Sequence, residues 1–352
     1  MSESEVKIGA FTIGVTHPPF LVAEMSGNHN QSLERALAIV EAAALSGAHA
    51  VKLQTYTADS MTLDIDTGEF VISDPNSLWY GESLYRLYEK AATPWEWHRP
   101  IFDRCRKLGM VSFSTAFDDR SVDFLEELNT PAYKIASFEN IDLPLIARVA
   151  QTGKPVIIST GMATEDEISE AVATARDNGC GELILLKCTS SYPASPSEAN
   201  LRTIPYLRDK FGLQVGLSDH TLGAGTAVAA VALGATMVEK HFTLSRSEGG
   251  VDSAFSLEPG EFRNLVVECG IAWQSLGAVS FALSESVEKS AGHRRSLYVV
   301  EDMKAGEVLS DKNMRAIRPG SGLPPKFYKE VIGRKVNKDV KGGTPISWEL
   351  LQ

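Results

Sequence analysis

The sequence predicts an α/β chain: a (β/α)8 TIM barrel over residues 1–283, a linker over 284–295 and a small, mostly-β domain over 296–352. Three observations predict it. Eight short apolar runs alternate with amphipathic segments. Polar residues gather at the ends of those runs, where barrel enzymes keep their chemistry. After residue 283 the pattern breaks into short extended pieces punctuated by Gly and Pro.

The eight runs are Phe20–Ser26, Ala50–Tyr56, Met110–Ala116, Ala132–Ser137, Pro155–Gly161, Leu183–Thr189, Gln214–His220 and Met237–Thr243. Each is near-continuously apolar, as strands covered on both faces are. Helix starts lie between them at Gln31-Ser32-Leu33-Glu34, at Thr93-Pro94-Trp95-Glu96 with Pro at a first helical position, at the capping-box pattern Thr164-Glu165-Asp166-Glu167, and at Pro259-Gly260-Glu261-Phe262. The connection from Thr57 to about Ala92 is long and holds Trp79, Tyr80, Tyr85 and Tyr88. It is either a functional lid or packing over the barrel mouth. In the tail, Ser296–Val300, Gly306–Leu309, Met314–Ile317, Gly333–Val336 and Pro345–Ile346 are the extended pieces.

Composition narrows the classes. A length of 352 residues suits two domains, and 43% hydrophobic with 22% charged residues excludes a disordered chain. A net charge of −11 without a Lys/Arg run argues against nucleic acid as a partner, although a cleft with a few lysines can still hold a small anion. Cys105, Cys180, Cys188 and Cys269 form no CxxC pair and no dense framework, which suits reduced thiols in a cytoplasm. Met1 to Ala10 lacks an apolar core and Ala227 to Val238 is too short to span a bilayer, so neither export nor a membrane is expected.

The polar residues at the run ends are the candidate chemistry. They are Glu24, Ser26, Asn28 and His29; Lys52 and Gln54; Ser114 and Thr115; Lys134 and Ser137; Ser159 and Thr160; Lys187, Thr189 and Tyr192; Ser218, Asp219 and His220; and Glu239, Lys240 and His241. A lysine inside an apolar strand costs several kcal/mol of desolvation unless it meets an anion. Lys52 and Lys134 therefore point to a phosphate or carboxylate ligand, with a buried pair to Glu24 or Glu239 as the alternative. His220 and His241 end consecutive strands, close enough to share a divalent cation. The alternative is one structural histidine and one general acid/base.

Ala23-Glu24-Met25-Ser26-Gly27-Asn28-His29-Asn30, Val51-Lys52-Leu53-Gln54, Tyr133-Lys134-Ile135-Ala136-Ser137, Gly216-Leu217-Ser218-Asp219-His220-Thr221 and Val238-Glu239-Lys240-His241-Phe242 resemble, in order, the sialic acid synthase family. In the tail, Arg294-Arg295-Ser296-Leu297 and Arg318-Pro319-Gly320-Ser321-Gly322 look like the antifreeze-like (SAF) domain that follows the barrel there. The resemblance implies condensation of phosphoenolpyruvate with an N-acetylated amino sugar, giving a nonulosonic acid and phosphate. It implies a divalent metal cation, Mn2+ with Mg2+ or Co2+ as alternatives, on His220 and His241.

By position, the resemblance implies that Lys52, Lys134, Ser137 and Ser218 hold phosphoenolpyruvate, with Ser114 or Thr115 nearby. Glu24 and Glu239 are the candidate acid/base groups, joined by Gln54 as a catalytic candidate. Tyr192 and Asp252 face the sugar. Ser190 stands where members acting on N-acetylmannosamine commonly have Asn, so it offers one hydrogen bond where the amide offers two. Arg318 resembles an arginine that reaches the N-acetyl group across a domain-swapped homodimer, the alternative being a solvated loop charge.

Ser26-Gly27-Asn28-His29-Asn30-Gln31, Leu78-Trp79-Tyr80-Gly81-Glu82-Ser83-Leu84-Tyr85 and Thr93-Pro94-Trp95-Glu96-Trp97 look closest to the branch that takes a 2,4-diacetamido-2,4,6-trideoxy-L-altrose. Such a sugar gains from apolar walls. A mannose-configured N-acetyl sugar is the alternative. A synthase acting on an aldose phosphate would want an extra basic clamp for that second phosphate, and a non-catalytic carbohydrate binder would have no need of inward lysines and paired histidines together.

Overall fold

The computed structural model describes residues 5–352; residues 1–4 of the N-terminal stretch lie outside them. The chain divides into two compact units, Met1–Gly277 and Ala278–Gln352.

The first unit opens with an antiparallel hairpin, β1 (Val6–Ile8) and β2 (Phe11–Ile13). Eight parallel strands follow: β3 (Phe20–Glu24), β4 (Ala50–Thr55), β5 (Val111–Ala116), β6 (Tyr133–Ile135), β7 (Val156–Ser159), β8 (Leu183–Cys188), β9 (Gln214–Asp219) and β10 (Met237–His241). They close in sequence order into a barrel, with β10 pairing back onto β3 so that His241 lies opposite Glu24. Most strands stop one or two residues before the sequence suggests, because the polar ends turn away: Ser26–His29 and Ser137–Glu139 are single 3-10 turns.

The helices are α1 (Leu33–Leu45), α2 (Ala58–Met61), α3 (Leu84–Ala91), α4 (Trp95–Lys107), α5 (Asp119–Glu127), α6 (Leu143–Ala150), α7 (Glu165–Asp177), α8 (Thr203–Phe211), α9 (Gly225–Ala232) and α10 (Pro259–Leu276). Their starts carry the expected caps. The Ser32 side chain accepts from Arg35 N, and Thr164 with Glu167 forms a reciprocal capping box. Pro94 sits at the cap of α4, one residue earlier than expected. The long connection holds α2 and α3 rather than a bare loop.

Two apolar layers result. One lies between barrel and helices, with Met25, Ile39, Val51, Phe102, Leu185 and Phe262 among its members. The other fills the barrel interior with Phe20, Val22, Phe113, Ile157, Ile184, Leu186 and Met237, and includes Val6, Ile8 and Ile13 of the hairpin, which stops that end. Inward residues nearer the C-terminal ends are polar, so the chemistry sits on an apolar floor.

In the second unit the polar stretch 284–295 carries a short helix, α11 (Glu285–Ala291). Strands β11 (Ser296–Val299) and β12 (Met314–Ile317) pair antiparallel, and α12 (Tyr328–Val331) follows. The other extended pieces contribute single bridges, such as Val308 to Lys335 and Tyr298 to Pro345, because Gly and Pro interrupt them before a ladder forms. Leu297, Val299, Leu309, Met314, Val336 and Ile346 build this unit's own core. Among the described residues no helix is long and apolar enough to cross a membrane.

Candidate active site

At the centre of the barrel mouth, Lys52 Nζ lies 3.0 Å from Glu24 Oε2 and 3.3 Å from Glu239 Oε1, all three side chains being buried. The pairing left open from the sequence is thus present. Gln54 Nε2 donates to Glu24 Oε1 at 3.0 Å, Ser218 Oγ to Glu239 Oε1 at 3.3 Å, and Lys52 Nζ to Thr115 Oγ1 at 3.2 Å. Burial holds the Glu24 carboxyl above its ordinary range despite the attraction of Lys52. Burial also acts on Glu239, but Lys52 and Lys134 together overcome it and keep that carboxyl low. Two carboxylates around one ammonium are thereby pushed apart in acidity, the arrangement that divides acid from base.

Lys134 has no carboxylate partner among its hydrogen bonds. Its Nζ donates to Ser159 Oγ at 2.7 Å and to the Ile135 carbonyl at 3.0 Å, and burial lowers the ammonium to about 8. Beside it the Gly161 N–H donates to Ser137 Oγ at 3.2 Å. A Cβ at Gly161 would meet Ser137 Oγ at 2.6 Å and collide with Ser190 Oγ, so the glycine keeps a small concavity open between two hydroxyls. Hydroxyls, a backbone N–H and a desolvated lysine are the donors an anion needs.

Above these groups the His220 and His241 rings stand with centroids 5.3 Å apart. His220 Nδ1 lies 3.0 Å from the Thr189 carbonyl and so carries the proton there, leaving Nε2 for a ligand. His241 Nδ1 is engaged by Ser26 Oγ at 3.2 Å. Burial, then the charges of His220 and Lys52, hold His241 well below its ordinary value, so its imidazole is neutral. Buried Glu239 Oε2 finds no hydrogen-bond partner. Among the described residues no group of three or more His, Cys, Asp or Glu side chains is assembled. Burial opposes the charged form of His220, but the neighbouring Cys188 outweighs it and raises that imidazole. Two imidazoles, deprotonated at the ligating nitrogens, still fit an open site in which substrate and water complete the shell of a divalent cation.

The sugar-side candidates surround this pair. The half-buried Tyr192 ring lies 4.4 Å from that of His220, and Trp79 from the long connection lies 6.1 Å from Tyr192. Trp79 Nε1 donates to the Val251 carbonyl at 2.9 Å, tying that connection to the segment after β10. In the same segment, Asp252 Oδ2 accepts from Gly27 N at 3.4 Å, and burial raises its carboxyl.

Ser114 departs from its expected place. Its Oγ lies 2.6 Å from Thr55 Oγ1, which in turn meets His98 Nε2 at 2.8 Å on the outer face of the barrel. Strand alternation puts Thr115, not Ser114, beside Lys52. Arg318 is an exposed residue of the second unit.

Three groups escaped the sequence reading. Glu139 sits in the turn after Ser137 with a buried Oε2 lacking a hydrogen-bond partner, and burial raises it to about 7. Phe255 packs 4.8 Å from His241. Cys188 Sγ lies 3.9 Å from His220 Nδ1. A carboxylate two residues beyond Ser137 was the available signal for the first.

Comparison with known proteins identifies the family. The NeuB family matches residues 39–280 and the SAF domain residues 294–352. The chain is 44% identical to the pseudaminic acid synthase of Helicobacter pylori, covering 94% of this chain and 97% of that one. It is 36% identical to the N,N'-diacetyllegionaminic acid synthase of Legionella pneumophila, over 95% and 94%. A crystal structure of the N-acetylneuraminic acid synthetase of Leptospira borgpetersenii superposes with a TM-score of 0.72 at 30% identity, covering 82% of this chain and 95% of that one.

Proposed function

Since this chain belongs to the NeuB family and ends in a SAF domain, we propose that it condenses phosphoenolpyruvate with 2,4-diacetamido-2,4,6-trideoxy-β-L-altropyranose and water, giving pseudaminic acid and phosphate. It is a transferase that forms a C–C bond. The observation that carries the reading is the 44% identity, along nearly the whole length, to a synthase of that name, against 36% to a legionaminic acid synthase. The lysine-floored anion pocket beneath two imidazoles supports it.

Lys134, Ser137, Ser159 and the Gly161 N–H bind the phosphate and carboxylate of phosphoenolpyruvate, with Lys52, Thr115, Ser190 and Ser218 lining the same cavity. Tyr192 and Asp252 hold the open-chain sugar with its aldehyde over C3 of the enol. When bound at His220 and His241, a divalent cation, Mn2+ by preference over Mg2+ or Co2+, supplies Lewis-acid polarisation of that aldehyde. The enol π pair forms the C3–C bond, and protonated Glu24, positioned by Gln54, gives its proton to the new alkoxide. Glu239, an anion, takes a proton from the water that adds to C2. The tetrahedral centre then collapses: the C2–O bond to the phosphate ester oxygen breaks, the added hydroxyl becomes the C2 ketone, and its proton leaves with the phosphate.

The chain acts in the cytoplasm as a domain-swapped homodimer, in which Arg318 of the SAF domain reaches the sugar's N-acetyl group. Light scattering that returns a dimer, with sugar KM raised in Arg318→Ala, would support this.

The test of the whole reading is phosphate release from phosphoenolpyruvate with Mn2+ in the presence of the altrose substrate, N-acetylmannosamine or the di-N-acetylated trideoxymannose. Turnover confined to the altrose is expected. Turnover on a mannose-configured sugar moves the chain to the legionaminic or sialic branch, and no release with any of the three overturns the synthase.

A further inference from the structure

The residues immediately before the two histidines are charged: Asp219 before His220 and Lys240 before His241. Alternation turns both side chains out of the barrel while the histidines turn in. Lys240 stands directly opposite Asp219 in the β9–β10 ladder, and its Nζ lies 2.6 Å from Asp219 Oδ2 with both side chains 1% exposed. Asp219 Oδ1 accepts from the Thr221 N–H at 2.9 Å and from its hydroxyl at 2.8 Å, while Lys240 Nζ donates to the Thr221 carbonyl. Both chain neighbours of His220 are therefore tied to the residue that precedes His241.

Such a pair is a poor way to gain stability. Desolvation offsets much of the attraction, and apolar residues of similar volume often do as well or better. Added to the backbone ladder and to the Ser218–Glu239 hydrogen bond, which already join the two histidine-bearing strands, this pair is the buried ionic cross-link at the rung next to both histidines. The Thr189 carbonyl and Ser26 orient the two rings, but neither sets the distance between the strands that carry them.

We propose that Asp219 and Lys240 are positioning residues that fix the separation of His220 and His241, and so set the affinity of the site for a divalent cation. This rests on the assignment of both histidines as metal ligands under Proposed function.

The experiment is calorimetric titration of Mn2+ into the metal-stripped, phosphoenolpyruvate-free protein, with thermal unfolding recorded on the same samples. Asp219→Asn with Lys240→Met removes both charges, keeps an acceptor for Thr221 and keeps the volume. Its Mn2+ affinity is expected to fall about 10- to 100-fold with the thermal midpoint close to wild type. Affinity unchanged in a folded double variant overturns the proposal and leaves the pair structural. If that variant does not fold, Lys240→Gln, which keeps a donor for Asp219, decides: weaker Mn2+ binding supports the inference and unchanged binding overturns it. A wild-type protein that takes up no Mn2+, like His220→Ala, sinks the metal assignment itself, a result distinct from loss confined to the pair variants.

Discussion

Lys52 Nζ lies 3.0 Å from Glu24 Oε2, yet the Glu24 carboxyl stays above its ordinary acidity because burial outweighs the ammonium that Glu239 also shares. A proton is thus retained on Glu24 where an exposed glutamate would have lost it. Glu24→Gln keeps the shape and a partner for Gln54 but has no acid to give, so kcat should fall about 10²- to 10⁴-fold with little change in thermal stability. A step that needs protonated Glu24 weakens as pH rises through its raised pKa. The alkaline limb of the kcat profile should vanish in the variant, and a limb that persists would assign it to another group.

Glu139 offers a stability test of the same physics. Burial, opposed by Lys134, raises it from 4.5 to about 7. A folded-state pKa above the unfolded one gives stability that is complete below pH 4.5 and is lost as pH rises through about 7. Denaturant titrations should show wild type losing on the order of 2–3 kcal/mol relative to Glu139→Gln across that window. A pH-independent difference between the two would remove Glu139 from the buried, protonated class.

Gly161→Ala should raise the KM for phosphoenolpyruvate at least about tenfold while the barrel still folds. The added Cβ must displace Ser137 and Ser190 hydroxyls, at a cost of about 1–3 kcal/mol. Initial-rate kinetics with sugar saturating would show it, and an unchanged KM would place the phosphate elsewhere.

Trp79→Ala removes the donor to the Val251 carbonyl and the ring beside Tyr192. The sugar KM should rise up to about tenfold with the phosphoenolpyruvate KM unmoved. If both rise together, the long connection is supporting the whole mouth rather than lining the sugar site.

The barrel was legible because buried parallel strands are apolar on both faces, and that same property blurred the rest. A continuous apolar run does not reveal which parity faces inward, so Ser114 and Thr115 read alike until the register separated them. Strand ends overran because Ser137 and Ser26 continue their runs without a change of period before the chain turns. The hairpin Val6–Ile8 and Phe11–Ile13 escaped because two three-residue strands around Gly9-Ala10 are too short to show an alternation. Lys52 and Lys134 were legible as costly buried charges, but only distances distinguish the one held by two glutamates from the one left to hydroxyls.

That hairpin also decides how traffic moves. With Val6, Ile8 and Ile13 stopping one end, the barrel has a single door. Lys134 and Ser159 belong to strands, whereas Tyr192 and Trp79 stand in loops beyond the strand ends. A molecule seated on the first pair is roofed by whatever next settles against the second. On the proposed site assignment, loading would run from the bottom up and unloading from the top down, so freed phosphate would queue behind the sugar acid made above it.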